Sequence, residues 1–282
     1  MTIRQNLMYF RNLKHQFIFP KRIPLEASKF LVVSEFPKCG GSWLSCILAN
    51  LLNCHGNSSG IYIHPFNMYS RVVDIDLAKT SRGKSIMLHN LSPDSYLIKT
   101  HAPFSINFQR IVCLYRNPIS VFQSYYRMCL SQNIIKDMSP LAFVKHRKFG
   151  VSAYNRFYVS YLNSSENSKI QFVDYDDLKR NTAAIVSQIS NIFLPNKSTQ
   201  THETKLIQLA CLKNYIELEK SYLRLDPRRE MLHKSLKSVN SFNFMGDSRL
   251  PHDWSQSIDQ YIIRKTSKVY DSLRHSCSQI VN

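Results

Sequence analysis

The stretch from Phe30 to Leu48, FLVVSEFPKCGGSWLSCIL, constrains the fold of this chain more than any other. The compact apolar run at 30–36 reads as a buried strand, and the periodicity from Ser42 through Leu52 reads as a helix. Between them lies a turn of small residues. Only seven glycines occur in 282 residues, so the adjacent pair Gly40-Gly41 is a placed feature rather than background. Strand, glycine turn and helix in this order bring unpaired amides and a helix dipole to one point, which suits a phosphate. The lysine, Lys38, precedes the glycine pair. In a nucleotide triphosphatase loop, G-x-x-x-x-G-K-[ST], it follows the last glycine and is itself followed by a magnesium-binding hydroxyl. That order is absent here, which argues against hydrolysis of ATP or GTP.

Further short apolar runs extend the pattern. SYLIKTHA (95–102), RIVCLYR (110–116) and KIQFVDY (169–175) read as strands. Asn117-Pro118 opens a helix carrying ISVFQSYYRMCL, and Asp176 or Asp177 is positioned to cap a helix through LKRNTAAIVSQISNIF. Strands alternating with helices imply an α/β fold, a parallel sheet covered by helices in three layers. Residues 53–94, with His55, His64 and His89, read as irregular, the kind of long loop that shapes a substrate site. Residues 200–282 read as helical and charged, with an irregular piece at SFNFMGDSRLPHDW. With no repeat and no linker, residues 30–282 form one domain behind a basic, aromatic-dotted arm at 1–29. That arm either packs on the domain or lies on a membrane surface.

Composition narrows the partners. There are 37 basic and 19 acidic residues, a net charge of +18, so the chain attracts polyanions. No helix-turn-helix, zinc-finger or RNA-binding signature accompanies that charge, so nucleic acid is not the expected partner. The seven cysteines are odd in number and lack a CxxC, which favours reduced, buried thiols. No run approaches the ~18 apolar residues of a membrane span, and the start lacks signal-peptide character. The expected setting is cytoplasmic, with peripheral membrane contact through the arm as an option. Cys54-His55 lacks partners at zinc spacing, and no metal site is expected.

In a parallel α/β sheet, ligands gather at the carboxyl ends of the strands. The proposed strands end in PKCGGSW, KTHAP, RNPISVFQS and YDDL, so Lys38, Lys99, His101, Arg116 and Ser124 should converge on an anionic site with one titratable base. Ser124 follows Arg116 by eight residues, close to the ~7–8 that return to one helix face. Each residue also has a plain structural reading. A single lysine is by default a surface lysine, a lone histidine a satisfied structural one, Trp43 at a helix start a core residue, and KHRK (145–148) a solvated face. Joint occurrence at successive strand ends outweighs those defaults.

The ordered segments x-P-K-x-G-x-[ST]-W, K-T-H and R-N-P with a serine eight after the arginine resemble the sulfotransferase family that uses 3′-phosphoadenosine 5′-phosphosulfate (PAPS). The resemblance covers about the first two thirds of the chain by order of segments, and it implies a P-loop-like nucleotide-transferase fold. It also implies roles. Lys38, Cys39, Gly40, Gly41, Ser42 and Trp43 match the loop holding the 5′-phosphosulfate, with Lys38 on the leaving phosphate and Trp43 stacked on the adenine. Lys99 and His101 match the catalytic strand end, with His101 as general base. Arg116 and Ser124 match the pair on the 3′-phosphate, and Tyr175 matches a tyrosine near the nucleotide. The family's late Arg-Lys-Gly is missing from FNFMGDSRLPHDW, where Gly246, Asp247 and Trp254 remain and Arg249 is the candidate replacement.

Sulfuryl transfer needs an acceptor hydroxyl, a base for its proton and cations for the leaving phosphate; imidazole and the two lysines supply these without a metal. The acceptor is a carbohydrate, an anionic polysaccharide suiting +18, or a small alcohol or phenol near Phe66, Phe104, Tyr125 and Tyr126. Two other classes stay open: a phosphoryl-transfer enzyme on a related fold, and a non-catalytic polyanion binder.

Overall fold

Sheet order decides where the strand ends meet. In the computed structural model, which describes residues 31–54, 72–74, 97–104, 110–131, 133–164, 169–193 and 253–278, five parallel strands form one sheet. They are β1 (Leu31–Glu35), β2 (Val72–Asp74), β3 (Leu97–Thr100), β4 (Arg110–Tyr115) and β5 (Lys169–Asp174), in the order β2-β3-β1-β4-β5. The strand that leads into the glycine turn is therefore central. Its Ser34 pairs in register with Thr100 on one side and Cys113 on the other. Every residue of β1 and β3 is buried, which a near-continuous apolar run and a doubly covered strand both require. The carboxyl ends of β1, β3 and β4 thus lie side by side.

The helices follow the strands as expected, with corrections. α1 (Gly41–Cys54) starts at the glycine pair, and α2 (Pro118–Ser131) starts at proline with the Asn117 side chain accepting from the Ile119 amide at 3.0 Å. Two helices to which the sequence reading assigned nothing follow: α3 (Pro140–Lys145), capped by the Ser139 hydroxyl, and α4 (Val151–Leu162). The helix expected after β5 is two helices, α5 (Tyr175–Arg180) and α6 (Thr182–Phe193), interrupted at Asn181. Its cap is neither Asp176 nor Asp177. The strand ends one residue sooner than expected, and Asp174 accepts from both of their amides, at 2.7 and 3.4 Å. Finally, α7 (Gln256–Ser278) packs on α2, α4 and β5. The reading of 53–94 as irregular also needs correction, because β2 lies inside it as an edge strand on β3. The sheet flanked by helices agrees with the α/β expectation.

Behind the strand ends lies an aromatic layer. Phe36 meets Phe122, Tyr125, Tyr154 and Phe157 edge-on, with centroids 5.4 to 6.1 Å apart. Such pairs contribute ~0.5–1.5 kcal/mol each beyond the area they bury. Three tyrosines of α4 then tie this layer to the sheet. Tyr154, Tyr158 and Tyr161 donate to the carbonyls of Arg116, Leu114 and Ala102 at 3.5, 2.9 and 2.9 Å. Each carbonyl belongs to a strand end or the residues just after one. Tyr126 is buried in the same layer with its hydroxyl on the Met138 carbonyl, so it is core rather than acceptor-lining, and Tyr125 packs there too. Among the described residues no helix is long and apolar enough to cross a membrane.

Candidate active site

The turn after β1 is built from backbone conformations that most residues avoid. Lys38 has φ 76° and Gly40 has φ 100°. A Cβ on Gly40 would also lie 2.5 Å from Tyr175 Cδ2, so both backbone and space call for glycine. Tyr175, the first residue of α5, lies against the turn from the end of β5. Its ring carries the Arg116 guanidinium 4.5 Å above its centroid and meets the edge of Trp43 at 6.1 Å. Arg116, just past β4, donates from Nη1 to the Lys38 carbonyl at 3.3 Å. Turn, β4 end and α5 start are thereby fastened together.

On the other side of β1, Lys99 and His101 complete the site. Lys99 is 3% exposed, and its Nζ lies 3.0 Å from His101 Nε2. His101 Nδ1 lies 2.9 Å from the Glu35 carbonyl. A carbonyl only accepts, so Nδ1 carries the hydrogen and Nε2 has the lone pair in the neutral ring. Lys99 donates to that lone pair. It is also 3.6 Å from Glu35 Oε1, while Glu35 Oε2 accepts the Gly41 amide at 2.5 Å. Glu35 is 3% exposed and is the functional-region residue that sequence reasoning passed over. The available signal was an acid closing an otherwise apolar strand directly before the turn.

Electrostatics follow from this crowding. Burial pushes the half-buried Lys38 ammonium below the ordinary lysine value; Arg116 and Lys99 push the same way and Glu35 opposes them. Burial pushes the Cys39 thiol up, with Glu35 adding and the Tyr158 hydrogen bond opposing. The Cys39 side chain is spent on the core, with Sγ 3.3 Å from Tyr158 Oη. Tyr175 is also raised, chiefly by burial.

The structure therefore brings together Lys38, Gly40, Gly41, Lys99, His101, Arg116 and Tyr175. Ser42 is half-buried in the first turn of α1. Trp43 is 2% exposed and packed among core residues, the plain structural reading of that position rather than an open stacking face. Ser124 is half-buried on α2, and no hydrogen bond or ion pair joins it to Arg116. Arg249 lies outside the described residues, as do Cys54-His55 side-chain contacts and the arm at 1–29. The run 145–148 is mostly exposed, as a solvated face should be, with His146 stacked on Phe149.

Comparison with known proteins bears on this arrangement. The family model described as "Sulfotransferase domain" matches residues 28–277. Sulfotransferase 1E1 of Bos taurus is 25% identical over 189 residues, 63% of this chain and 63% of that protein. Sulfotransferase 6B1 of Gorilla gorilla gorilla is 25% identical over 188 residues, 61% of this chain and 58% of that protein. The matched stretch thus spans about three fifths of these curated relatives. Among solved structures, retinol dehydratase with retinol and PAP aligns with a TM-score of 0.58 at 12% identity, covering 95% of this chain and 85% of that one. The same kind of protein with androsterone and the inactive cofactor PAP aligns at 0.56 and 12%, covering 96% and 85%. At that identity the likeness speaks for the fold.

Proposed function

We propose, for a chain that belongs to the sulfotransferase domain family, that it moves a sulfuryl group from PAPS to an acceptor hydroxyl with His101 as general base. The observation that carries this reading is the His101 ring. Its Nδ1–H is fixed on the Glu35 carbonyl, leaving Nε2 as the basic atom at the mouth of a cationic turn. The residues fit such a donor. Lys38, Lys99 and Arg116 supply three positive groups at the turn, and Gly40 leaves the room that the Tyr175 ring fills against it. When bound, the donor supplies an activated sulfuryl group on a phosphate leaving group.

The chain's own residues then divide the work. Amides at the start of α1 and the Lys38 ammonium hold the 5′ end and neutralise the charge that collects on the leaving phosphate oxygen. Arg116, braced on Tyr175, offers a planar fork to a 3′-phosphate. His101 Nε2 takes the acceptor proton as the acceptor oxygen bonds to sulfur. Lys99 must give up its hydrogen bond to Nε2 for that, and a developing negative charge beside it provides the inducement. The charge of +18 favours an acidic carbohydrate as acceptor, with a small alcohol as the alternative.

The test is thermal stabilisation by adenosine 3′,5′-bisphosphate against ATP. At a hundredfold excess over Kd, binding adds ~2.7 kcal/mol, a rise of about 5–10 °C for a domain of this size. Selective stabilisation by the bisphosphate is expected; equal stabilisation by ATP, or none by either, ends the reading. A pH series sharpens it. Lys38 is depressed below 10.5, so bisphosphate affinity should be full below its folded-state value and decline as pH rises through it, ahead of an ordinary lysine. Affinity flat up to pH 10.5 would remove Lys38 from the anion seat.

A further inference from the structure

The side chain of Glu35 has no task in the reaction just described, yet both of its oxygens are engaged. Glu35 is 3% exposed. One oxygen faces the Lys99 ammonium at 3.6 Å and the other takes the Gly41 amide at 2.5 Å. That amide opens a 14-residue helix, so it is one of the donors without an intrahelical partner and a natural seat for an anion. The fit is reciprocal. A Cβ on Gly41 would lie 2.5 Å from the Glu35 carboxyl group, so the carboxylate fills the room that any other residue at 41 would need.

Resting on the reading of the turn as the donor's anion seat, we propose that Glu35 is a resident anion that sets the affinity of that seat. Its carboxylate occupies the Gly41 amide and neutralises the Lys99 ammonium, so an incoming anion must outcompete it for both. That competition weakens every anion at the turn by about the same factor. Inorganic sulfate can occupy only one seat at a time, whereas a nucleotide with a second phosphate engages the turn and Arg116, over the Tyr175 ring, together. The carboxylate thus lowers affinity at the common site, and the preference for a doubly anionic nucleotide is set at the distinctive one, Arg116.

Calorimetric titration of the full chain with inorganic sulfate and with adenosine 3′,5′-bisphosphate tests this, comparing wild type with Glu35→Gln. The variant should bind sulfate at least about tenfold more tightly, since one like charge is removed a few ångströms from the bound anion. The bisphosphate should gain by a similar factor, since its phosphate at the turn meets the same removed charge. Unchanged or weaker sulfate binding overturns the proposal. A carboxylate with a purely structural role would lower the melting temperature and leave anion affinity level or reduced. Should Glu35→Gln fail to fold, Glu35→Asp withdraws the carboxylate from the Gly41 amide while keeping its charge. It should show a smaller gain in the same direction, and sulfate affinity no better than wild type overturns the proposal equally. Wild type that ignores the bisphosphate would sink the donor reading instead, with the sulfate comparison still deciding the role of Glu35.

Discussion

Two regions meet at the carboxyl edge of this sheet and are built on opposite principles. The charged side, from Glu35 through the turn to Lys99, His101 and Arg116, has few groups, each with a specific partner, and several of them are buried. The aromatic side, from Phe36 across α2 to α4, has many interchangeable edge contacts and tyrosine hydroxyls aimed at backbone carbonyls. A buried charge that loses its partner costs several kcal/mol, whereas losing one edge contact among many costs ~0.5–1.5. The first region is therefore brittle and carries chemistry, and the second is tolerant and carries geometry. Substitutions on the charged side should change binding and turnover, and those that orphan a buried charge should also cost stability. On the aromatic side they should cost modest stability and leave binding nearly unchanged.

The largest effect expected is that of His101→Ala. Loss of a general base lowers turnover by about 10²–10⁴-fold, while the bisphosphate should still bind, because the turn and Arg116 are untouched. Single-turnover assay beside calorimetric titration separates the two. Turnover within twofold of wild type would take the base role from His101 and leave the charged side as a binding site only.

Next comes Gly40→Ala. The φ of 100° and the Tyr175 ring 2.5 Å from the new Cβ each oppose it. A non-glycine residue in sparsely populated backbone costs about 1–3 kcal/mol, and the ring must also shift, taking the cation it carries with it. Bisphosphate affinity should fall by at least about tenfold, beyond the loss from strain confined to the turn. Normal affinity in a folded variant would mean that Tyr175 and Arg116 stand apart from the anion seat, and the charged side would be smaller than described here.

The two regions also differed in how far the sequence disclosed them. The strand, turn and first helix were legible because an apolar run beside a glycine pair admits few other conformations. The convergence of Lys38, Lys99, His101 and Arg116 followed from a rule of parallel sheets that needs only strand ends. Glu35 escaped because an acid closing an apolar strand looks like a solvated terminus until Lys99 is seen across the sheet. β2 escaped because three residues carry no period, and its pairing with β3 is set by the sheet. The cap at Asp174 escaped because DYDD offers three acids, and the end of the strand selects among them. The tyrosine ties of α4 span 38 to 59 residues of sequence, a separation over which no local pattern speaks.

The smallest effect, and the one that best tests the tolerant side, is expected for Tyr158→Phe. Its hydroxyl donates to the Leu114 carbonyl at 2.9 Å and lies 3.3 Å from Cys39 Sγ, joining the end of β4 to the turn through the core. Phenylalanine keeps the ring and its edge contacts with Tyr154 and Phe157. What is lost is the bond to the Leu114 carbonyl and the weaker one with the Cys39 thiol, about 1–2 kcal/mol, or a melting temperature lower by about 2–5 °C. At 25 °C the variant stays folded and the turn keeps its own braces, the Arg116 bond to Lys38 and the Gly41 bond to Glu35. Bisphosphate affinity should therefore stay within about twofold, well under the ~1.4 kcal/mol of a tenfold change. A tenfold loss of affinity without loss of stability would reverse the comparison: the tyrosine hydroxyl would then be positioning Cys39 and the turn, and the aromatic layer would be part of the site rather than its support.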